Sequence, residues 1–170
     1  METNSIQTKP ETVAVITPEI LLEHWQGHRA LTRRVIEAFP EDRFYDFSIG
    51  GMRTFAQLAM EIIGISAPGI RGIAFGDWTF TEPTLDHSTP APATKAEVLQ
   101  LWDVVTDYIN LLWPQIQPQR FHEKEAAFGM YENTIYNTIL YMIDNEIHHR
   151  AQGYVYLRAL GVEPPAFWDR

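Results

Sequence analysis

The sequence predicts an all-α protein, and three observations carry this prediction. Apolar residues recur three and four positions apart along four separate stretches, which is the spacing of one face of an α-helix. Residues that start or stop helices stand at the ends of these stretches. No stretch alternates apolar and polar residues convincingly enough to predict a strand. A chain of 170 residues that is 45% hydrophobic can bury one core, so we expect a single four-helix bundle.

The first predicted helix follows an N-terminal arm. Residues 1–16 are expected to form a flexible arm, and residues 17–170 to form the single domain. Thr17 is a typical N-cap residue, and Pro18 suits the first helical position. The apolar stripe that begins there continues to Phe39. We therefore expect the first helix to run from Thr17 to about Phe39.

The second predicted helix begins near Thr54, after a turn that contains two glycines. Pro68 and Gly69 interrupt its apolar stripe, and a proline inside a helix removes a backbone hydrogen bond. We therefore expect a kink or an early end at that point. Residues 76–93 then hold three prolines and several Ser and Thr residues, which predicts a long connection to the next helix.

The third and fourth helices have clear boundary residues. Thr94 with Glu97 three positions later is a capping box that opens the third helix. A second long loop, residues 115–130, precedes the fourth helix. This last helix is expected to run from about Glu132 to Leu160, where the following glycine can adopt the left-handed conformation that ends helices.

The fourth helix carries polar side chains on a face that should be buried. Positions three and four apart share one helix face, and here they are Ile135, Thr138, Met142, Asn145, His149, Gln152, Tyr156 and Leu160. Asn145 and His149 lie between residues that belong in a core. Their burial costs free energy unless they find partners, so this face is the first candidate for a functional site.

The same helix resembles the last helix of the DinB/YfiT-like family. The matching residues are Glu146, His148, His149, Arg150, Gln152, Tyr156, Leu157, Arg158, Gly161, Pro164 and Pro165. The chain departs from the family pattern at Asn145, where the family usually has His, and at Ala151, where it usually has Gly. The resemblance implies a four-helix bundle in the order up-down-down-up. The long connection at residues 76–93 allows the second and third helices to run parallel, as that order requires.

The resemblance also implies a metal site. In the family, three histidines hold a divalent metal, and the corresponding positions here are Glu61, Asn145 and His149. Zinc or nickel would be the expected ion, although an amide oxygen is a poor ligand for either. The alternative is a buried hydrogen-bond network without an ion, in which Glu61 accepts a hydrogen bond from His149.

Two further residues are candidates for the same pocket. His28 lies at the centre of the apolar stripe of the first helix, with His24 four residues before it. His28 either faces the pocket or is a hydrogen-bonded histidine of the core. Gln152 leans toward His149 and is a candidate to orient it. The sequence assigns no catalytic residue.

Two functions follow from the resemblance. The first is a metal-dependent enzyme, a hydrolase or a thiol-dependent transferase, that acts on a small molecule with an altered metal set. The second is a non-catalytic bundle that has lost its metal and binds a small ligand or a protein partner. The replacement of two of the three expected histidines separates these hypotheses, because it favours altered or lost chemistry.

Composition limits the partners. The formal net charge is −9, so the chain should repel phosphate backbones and is not expected to bind nucleic acid. No apolar run approaches the roughly 20 residues that cross a bilayer, and the polar residues 1–12 do not form a secretory signal. We therefore expect no membrane association and a cytoplasmic location. The chain has no cysteine, which excludes disulfides and thiolate metal sites.

The fourth helix also carries apolar residues away from its main face, at Leu140, Ile143, Ile147 and Val155. A helix exposed on that side would be polar there. We expect either the long loops or a second subunit to cover it, and the resemblance favours a homodimer.

Overall fold

A computed structural model of the chain describes residues 15–81 and 84–170. The predicted arm therefore lies outside the described residues except for Val15 and Ile16, which are both exposed. The helical elements are α1 (Pro18–Ala38), α2 (Glu41–Phe44), α3 (Phe55–Phe75), α4 (Lys95–Leu112) and α5 (Ile135–Ala159). Short 3₁₀ helices occupy Trp113–Gln115 and Pro118–His122, and two strands follow, β1 (Lys124–Ala127) and β2 (Tyr131–Thr134).

The capping residues act as the sequence predicts. The Thr17 side chain accepts a hydrogen bond from the backbone N–H of Ile20 at the start of α1. Thr94 and Glu97 form a complete capping box at the start of α4. At the end of α5, Gly161 has a φ of 76°, which a residue without a Cβ adopts without strain. These polar contacts satisfy the backbone groups that helix ends leave free.

The early end predicted at Pro68 is wrong. Helix α3 continues through this proline to Phe75, and Gly76, whose φ is 75°, is its C-cap. Ile70 and Ile73, which follow the proline, are completely buried. The free energy of burying these side chains outweighs the hydrogen bond that the proline removes.

The two strands were not predicted from the sequence, which indicated at most a short extended piece around Phe121, where the structure has a 3₁₀ helix. Strands β1 and β2 pair antiparallel, with Lys124 opposite Thr134. The turn between them contains Phe128 and Gly129, both with positive φ. Because β2 takes the residues up to Thr134, α5 begins at Ile135, three residues later than expected. The strands are only four residues long, which is too short for an alternating pattern to be recognised in the sequence.

The core lies between the four long helices. Helix α1 packs against α4 and α5, and α3 packs against the same two helices. Helix α3 is long and apolar enough to cross a bilayer, which the sequence did not lead us to expect. However, 72% of the most apolar stretch of this helix is buried inside the bundle. Such burial is typical of the core helix of a soluble protein. Among the apolar residues that lie away from the main face of α5, Ile143 is buried within the chain, whereas Val155 is 54% exposed.

Candidate functional site

Helix α5 divides its polar residues between two neighbouring helices. Successive helical residues point about 100° apart, and residues four apart share a face. Asn145 and His149 accordingly contact α3, whereas Glu146 and Arg150 contact α1. Neighbouring residues of α5 therefore form two separate polar clusters.

The α3-facing cluster consists of Arg53, Glu61, Asn145, His149 and Gln152. His149 Nε2 lies 3.0 Å from Glu61 Oε1, and Asn145 Nδ2 lies 3.4 Å from the same oxygen. Asn145 Nδ2 is also 3.2 Å from His149 Nε2. Arg53 donates to the other carboxylate oxygen, Oε2. Gln152 Nε2 lies 3.5 Å from His149 Nδ1 and 3.1 Å from a ring nitrogen of the neighbouring histidine. The structure thus brings the three residues of the predicted metal set together.

Close helix packing produces this convergence. A Cβ on Gly153 of α5 would lie 2.3 Å from the Phe55 ring of α3, and a Cβ on Gly69 would lie 2.2 Å from Met142. Both glycines therefore allow the two helices to approach more closely than larger residues would. Glu61 lies between these contact points in the sequence of α3 and so reaches the polar face of α5.

His149 and Glu61, the hydrogen-bonded pair of this cluster, have complementary protonation states. Burial lowers the pKa of His149, although its hydrogen bond to Glu61 acts in the opposite direction. Burial by itself would raise the pKa of Glu61, but hydrogen bonds from Arg53 and His149 hold it below its usual value. At neutral pH the cluster therefore contains a neutral imidazole, an ionised carboxylate and a guanidinium, and its formal charges cancel.

The spacing of the cluster would suit a metal, but its donors do not. Three ligands about 2.1 Å from one zinc ion lie about 3.4 Å apart, close to the separations of the three atoms here. However, Asn145 presents its amide nitrogen, which has no lone pair to offer a cation. Glu61 already binds Arg53 and His149 through its two oxygens. Across residues 15–81 and 84–170, no group of three or more His, Cys, Asp or Glu side chains could hold a metal. As arranged, this donor set does not fit zinc or nickel.

The α1-facing cluster consists of His28, Arg29, Thr32, Glu146 and Arg150, and all five are buried. Thr32 Oγ1 donates to Glu146 Oε1 at 2.6 Å and accepts from Arg150 Nη1 at 3.0 Å. The carboxylate of Glu146 lies 3.8 Å from the guanidinium groups of both Arg29 and Arg150. Arg150 Nη1 also donates to the carbonyl of His28 at 3.1 Å. This network joins α1 to α5 in the interior of the bundle.

Arg29 extends the same network to α4. Its guanidinium lies 4.0 Å above the Trp102 ring and donates to Thr106 Oγ1 at 2.7 Å. Burial lowers the pKa of Arg29 to about 10, which still leaves the group charged at neutral pH. Burial also raises the pKa of Glu146, against the opposing effect of Arg29.

His28 belongs to the α1-facing cluster. Its ring nitrogens lie 2.9 Å from Arg150 Nη2, 2.9 Å from Arg170 Nη1 and 3.2 Å from His24 Nε2. These contacts are those of a hydrogen-bonded core histidine, and none involves Glu61, Asn145 or His149. Of the two alternatives for His28, the structure shows the hydrogen-bonded core histidine and not the residue that faces the α3-facing cluster. Gln152 does contact His149.

Two important residues were missed in the sequence. Arg53 stands immediately before the N-cap of α3 and reaches Glu61 about two turns later. In the sequence, only the spacing between Arg53 and Glu61 indicates this contact, and such a spacing is not specific. Arg29 occupies a completely buried position on α1, and an arginine there gives no signal because such residues are normally exposed.

Comparison with known proteins identifies the family. The sequence profile of the DinB family matches residues 10–169. A DinB-like protein from Bacillus cereus superposes with a TM-score of 0.71 at 17% identity, covering 87% of this chain and 95% of the other. A DinB-like protein from Bacillus subtilis gives 0.69 at 16% identity, covering 88% and 99%. At such identities these structures show the fold alone. None of the curated proteins compared with the chain matches it. On the strength of the profile, which spans nearly its whole length, this chain belongs to the DinB family.

Proposed function

We propose that this protein is a DinB bundle in which a metal-free polar network stands where the family resemblance implies a metal centre. In this proposal the α3-facing cluster binds a small ligand without metal chemistry. One observation carries the proposal: both oxygens of Glu61 are already engaged by protein donors, Arg53 on one side and His149 on the other. Arg53 supplies the positive charge that a cation would otherwise provide.

The cluster is accessible enough for a ligand to reach it. The side chain of Glu61 is 16% exposed, and that of Arg53 is 48% exposed. Arg53 uses one nitrogen for Glu61, and a guanidinium has five N–H donors. Its remaining donors are available to a polar group of a ligand. His149 is neutral and of lowered pKa, which makes it a weak base and favours a binding role over a catalytic one.

The second candidate is the metal-dependent hydrolase or thiol-dependent transferase. The separations of 3.0, 3.2 and 3.4 Å between the three side-chain atoms favour it, because they resemble those of ligands around one ion. It requires the Asn145 amide to turn its oxygen inward. It also requires Glu61 Oε1 to exchange His149 for an ion. These changes are why we rank it second.

Metal titration separates the two candidates. The native chain, stripped with a chelator, should bind zinc or nickel only weakly in a calorimetric titration. The double variant Glu61→His plus Asn145→His places three imidazoles at the same positions and should bind at least about tenfold more tightly. The matched control is Glu163→His plus Asn110→His, which adds two histidines at exposed sites elsewhere. Tight binding by the native chain would overturn the proposal in favour of the metal enzyme.

Ligand binding has its own test. A small-molecule panel would be screened by thermal shift in the presence of a chelator. Compounds that use the cluster should raise the Tm of the native chain and fail to do so in Arg53→Ala. Arg158→Ala, which removes an exposed arginine near the end of α5, is the matched control. If every stabilising compound acts equally on Arg53→Ala, the ligand site is elsewhere.

We also propose an up-down-down-up helix order, a homodimer and a cytoplasmic location. The contact of Phe55 with Gly153 and that of Gly69 with Met142 support antiparallel packing of α3 and α5, as that order requires. Exposed apolar residues on α5, Tyr141 and Val155, support a dimer through that side. Light scattering at micromolar concentration should give twice the monomer mass. A monomer alone would remove the dimer proposal.

A further inference from the structure

Arg53 is the one charged residue of the α3-facing cluster that the family resemblance does not imply. Its guanidinium donates to Glu61 Oε2, while His149 Nε2 lies 3.0 Å from Oε1 of the same carboxylate. A carboxylate that binds a metal turns at least one oxygen toward the ion. An ion at Oε2 would displace Arg53, and an ion at Oε1 would lie beside the positive charge of Arg53 and be repelled.

The backbone at Arg53 is fixed by two helices. Tyr156 Oη of α5 donates to the carbonyl of Arg53 at 2.9 Å. The next residue, Thr54, is the N-cap of α3 and forms a complete capping box there. A guanidinium also stays charged in proteins. The positive charge is therefore permanent, and its attachment point keeps it within reach of Glu61.

The amide of Asn145 is a weaker obstacle to a metal than Arg53. Its nitrogen lies 3.4 Å from Glu61 Oε1, which is long for a hydrogen bond, so little is lost when the amide turns its oxygen inward. The side chain is only partly buried, so water can hydrate the nitrogen after this turn. An amide oxygen is a poor ligand for zinc, but it does not repel a cation as a guanidinium does.

His149 can also adjust to an ion. An ion takes the lone pair of Nε2, which requires the hydrogen to move to Nδ1. Gln152 Nε2 lies 3.5 Å from Nδ1, and with its amide turned, the Gln152 oxygen would accept from Nδ1–H and orient the ring. The other contact of Gln152, 3.1 Å to His148 Nε2, survives this turn, because an exposed histidine can carry its hydrogen on that nitrogen.

We propose that Arg53 is the residue that excludes divalent metals from the α3-facing cluster. Without its guanidinium, Glu61, His149 and the Asn145 oxygen would hold zinc, with water completing the coordination. Only two of these three are good zinc ligands, so the site would be weaker than one made of three histidines. The inference rests on the proposed function, since it names the side chain that keeps the cluster free of metal.

The test is zinc binding by the full, untagged chain after chelator treatment, measured by competition with a chromophoric chelator. Arg53→Ala should bind zinc at least about tenfold more tightly than the native chain, because the repulsive charge is gone and Glu61 Oε2 is free. The Arg53 side chain is 48% exposed, so this variant should fold. Arg53→Leu, which keeps part of the aliphatic stem, should show the same gain. Arg53→Lys retains the charge and should bind as weakly as the native chain.

Two controls locate the gain in the cluster. Arg158→Ala removes the charge of an exposed arginine near the end of α5 and should leave the zinc affinity unchanged. Adding His149→Ala to Arg53→Ala should return the affinity to that of the native chain, since one of the two good ligands is then lost. A gain that survives the loss of His149 would place the zinc elsewhere and would overturn the inference.

The outcomes separate this inference from the proposed function. If the native chain, Arg53→Ala and Arg53→Leu all bind zinc equally weakly, Arg53 is not what excludes the metal, and the proposed function stands alone. If Arg53→Lys gains as much affinity as Arg53→Ala, the positive charge is not the cause, and the inference is wrong. Tight binding of zinc by the native chain would overturn both.

Discussion

The two polar clusters of α5 differ in what surrounds them, although neighbouring residues supply both. In the α3-facing cluster, Glu61 is 16% exposed and the formal charges cancel. In the α1-facing cluster, Glu146 and Arg29 are completely buried and positive charge is in excess. Polar groups near water lose little when a partner is removed, whereas buried ones lose much. The first cluster therefore tolerates new residue types, and the second holds three helices together.

This difference accounts for one of the two departures from the family pattern, the one at Asn145. Asn145 belongs to the α3-facing cluster, and this is the motif position at which histidine is missing. Glu146 and Arg150 match the pattern and belong to the buried network. The motif therefore contains residues of two kinds. Some belong to the buried network between the helices, and others belong to the cluster for which we propose a ligand-binding role.

Glu146→Ala is expected to have the largest effect, because it removes the only carboxylate of the α1-facing cluster. This change leaves Arg29 and Arg150 buried without a carboxylate, which should lower the free energy of unfolding by about 3–5 kcal/mol. Urea denaturation followed by circular dichroism measures the loss. Glu163→Ala, whose side chain is exposed, is the control and should change stability by less than about 0.5 kcal/mol. A loss below 1 kcal/mol for Glu146→Ala would mean that the buried network does not hold the helices.

The second prediction concerns pH. His28 titrates near 6.5 when unfolded but has a pKa of about 3 in the folded chain. Between these two pH values the unfolded chain binds one more proton than the folded chain. The stabilising contribution of neutral His28 is therefore fully present above pH 6.5 and is lost as the pH decreases. The slope contributed by this one residue should be about 1.4 kcal/mol per pH unit, or about 2 kcal/mol at pH 5.

Comparing variants isolates this contribution. The free energy of unfolding, measured by denaturation between pH 7 and pH 4, should change less steeply with pH for His28→Asn than for the native chain. His87→Asn changes an exposed histidine in the loop before α4 and should leave the native slope unchanged. Equal slopes for His28→Asn and the native chain would show that His28 is not held neutral.

The sequence was sufficient for most of the fold because capping residues and apolar spacing are local signals. Thr17 and Thr94 mark helix starts wherever the rest of the chain lies. The continuation of α3 beyond Pro68 was not predictable in this way, since it depends on the burial of Ile70 and Ile73 against other helices. The same holds for the hairpin, whose strands are stabilised by pairing with each other and not by their own composition.

The candidate site was predictable only in part. Asn145 and His149 share a helix face, and the family resemblance added Glu61. That the three meet depends on close packing at Gly153 and Gly69, which spacing along one helix does not reveal. The roles of Arg53 and Arg29 required the folded chain, because an arginine has no sequence mark that distinguishes a buried partner from an exposed one.

The third prediction concerns His149 in the α3-facing cluster. His149→Ala removes one donor to Glu61, but Arg53 remains bound to the other oxygen. We therefore expect a loss of only about 1–2 kcal/mol in the free energy of unfolding. Urea denaturation with and without a chelator should give the same loss, because the network contains no ion in our proposal. A loss that appears only without chelator would support the metal-dependent candidate instead.

The smallest expected effect is that of Asn145→Ala, one residue before the position with the largest. Its amide nitrogen lies 3.4 Å from Glu61 Oε1, which is long for a hydrogen bond. It also lies 3.2 Å from His149 Nε2, but that nitrogen carries the hydrogen donated to Glu61 and cannot accept another. The side chain is only partly buried, and Glu61 keeps both of its stronger donors. We expect the free energy of unfolding to fall by about 0.5 kcal/mol or less. Urea denaturation of Asn145→Ala and Glu146→Ala, carried out side by side, measures this difference. A loss of similar size in both variants would show that the two faces of α5 are one cooperative network.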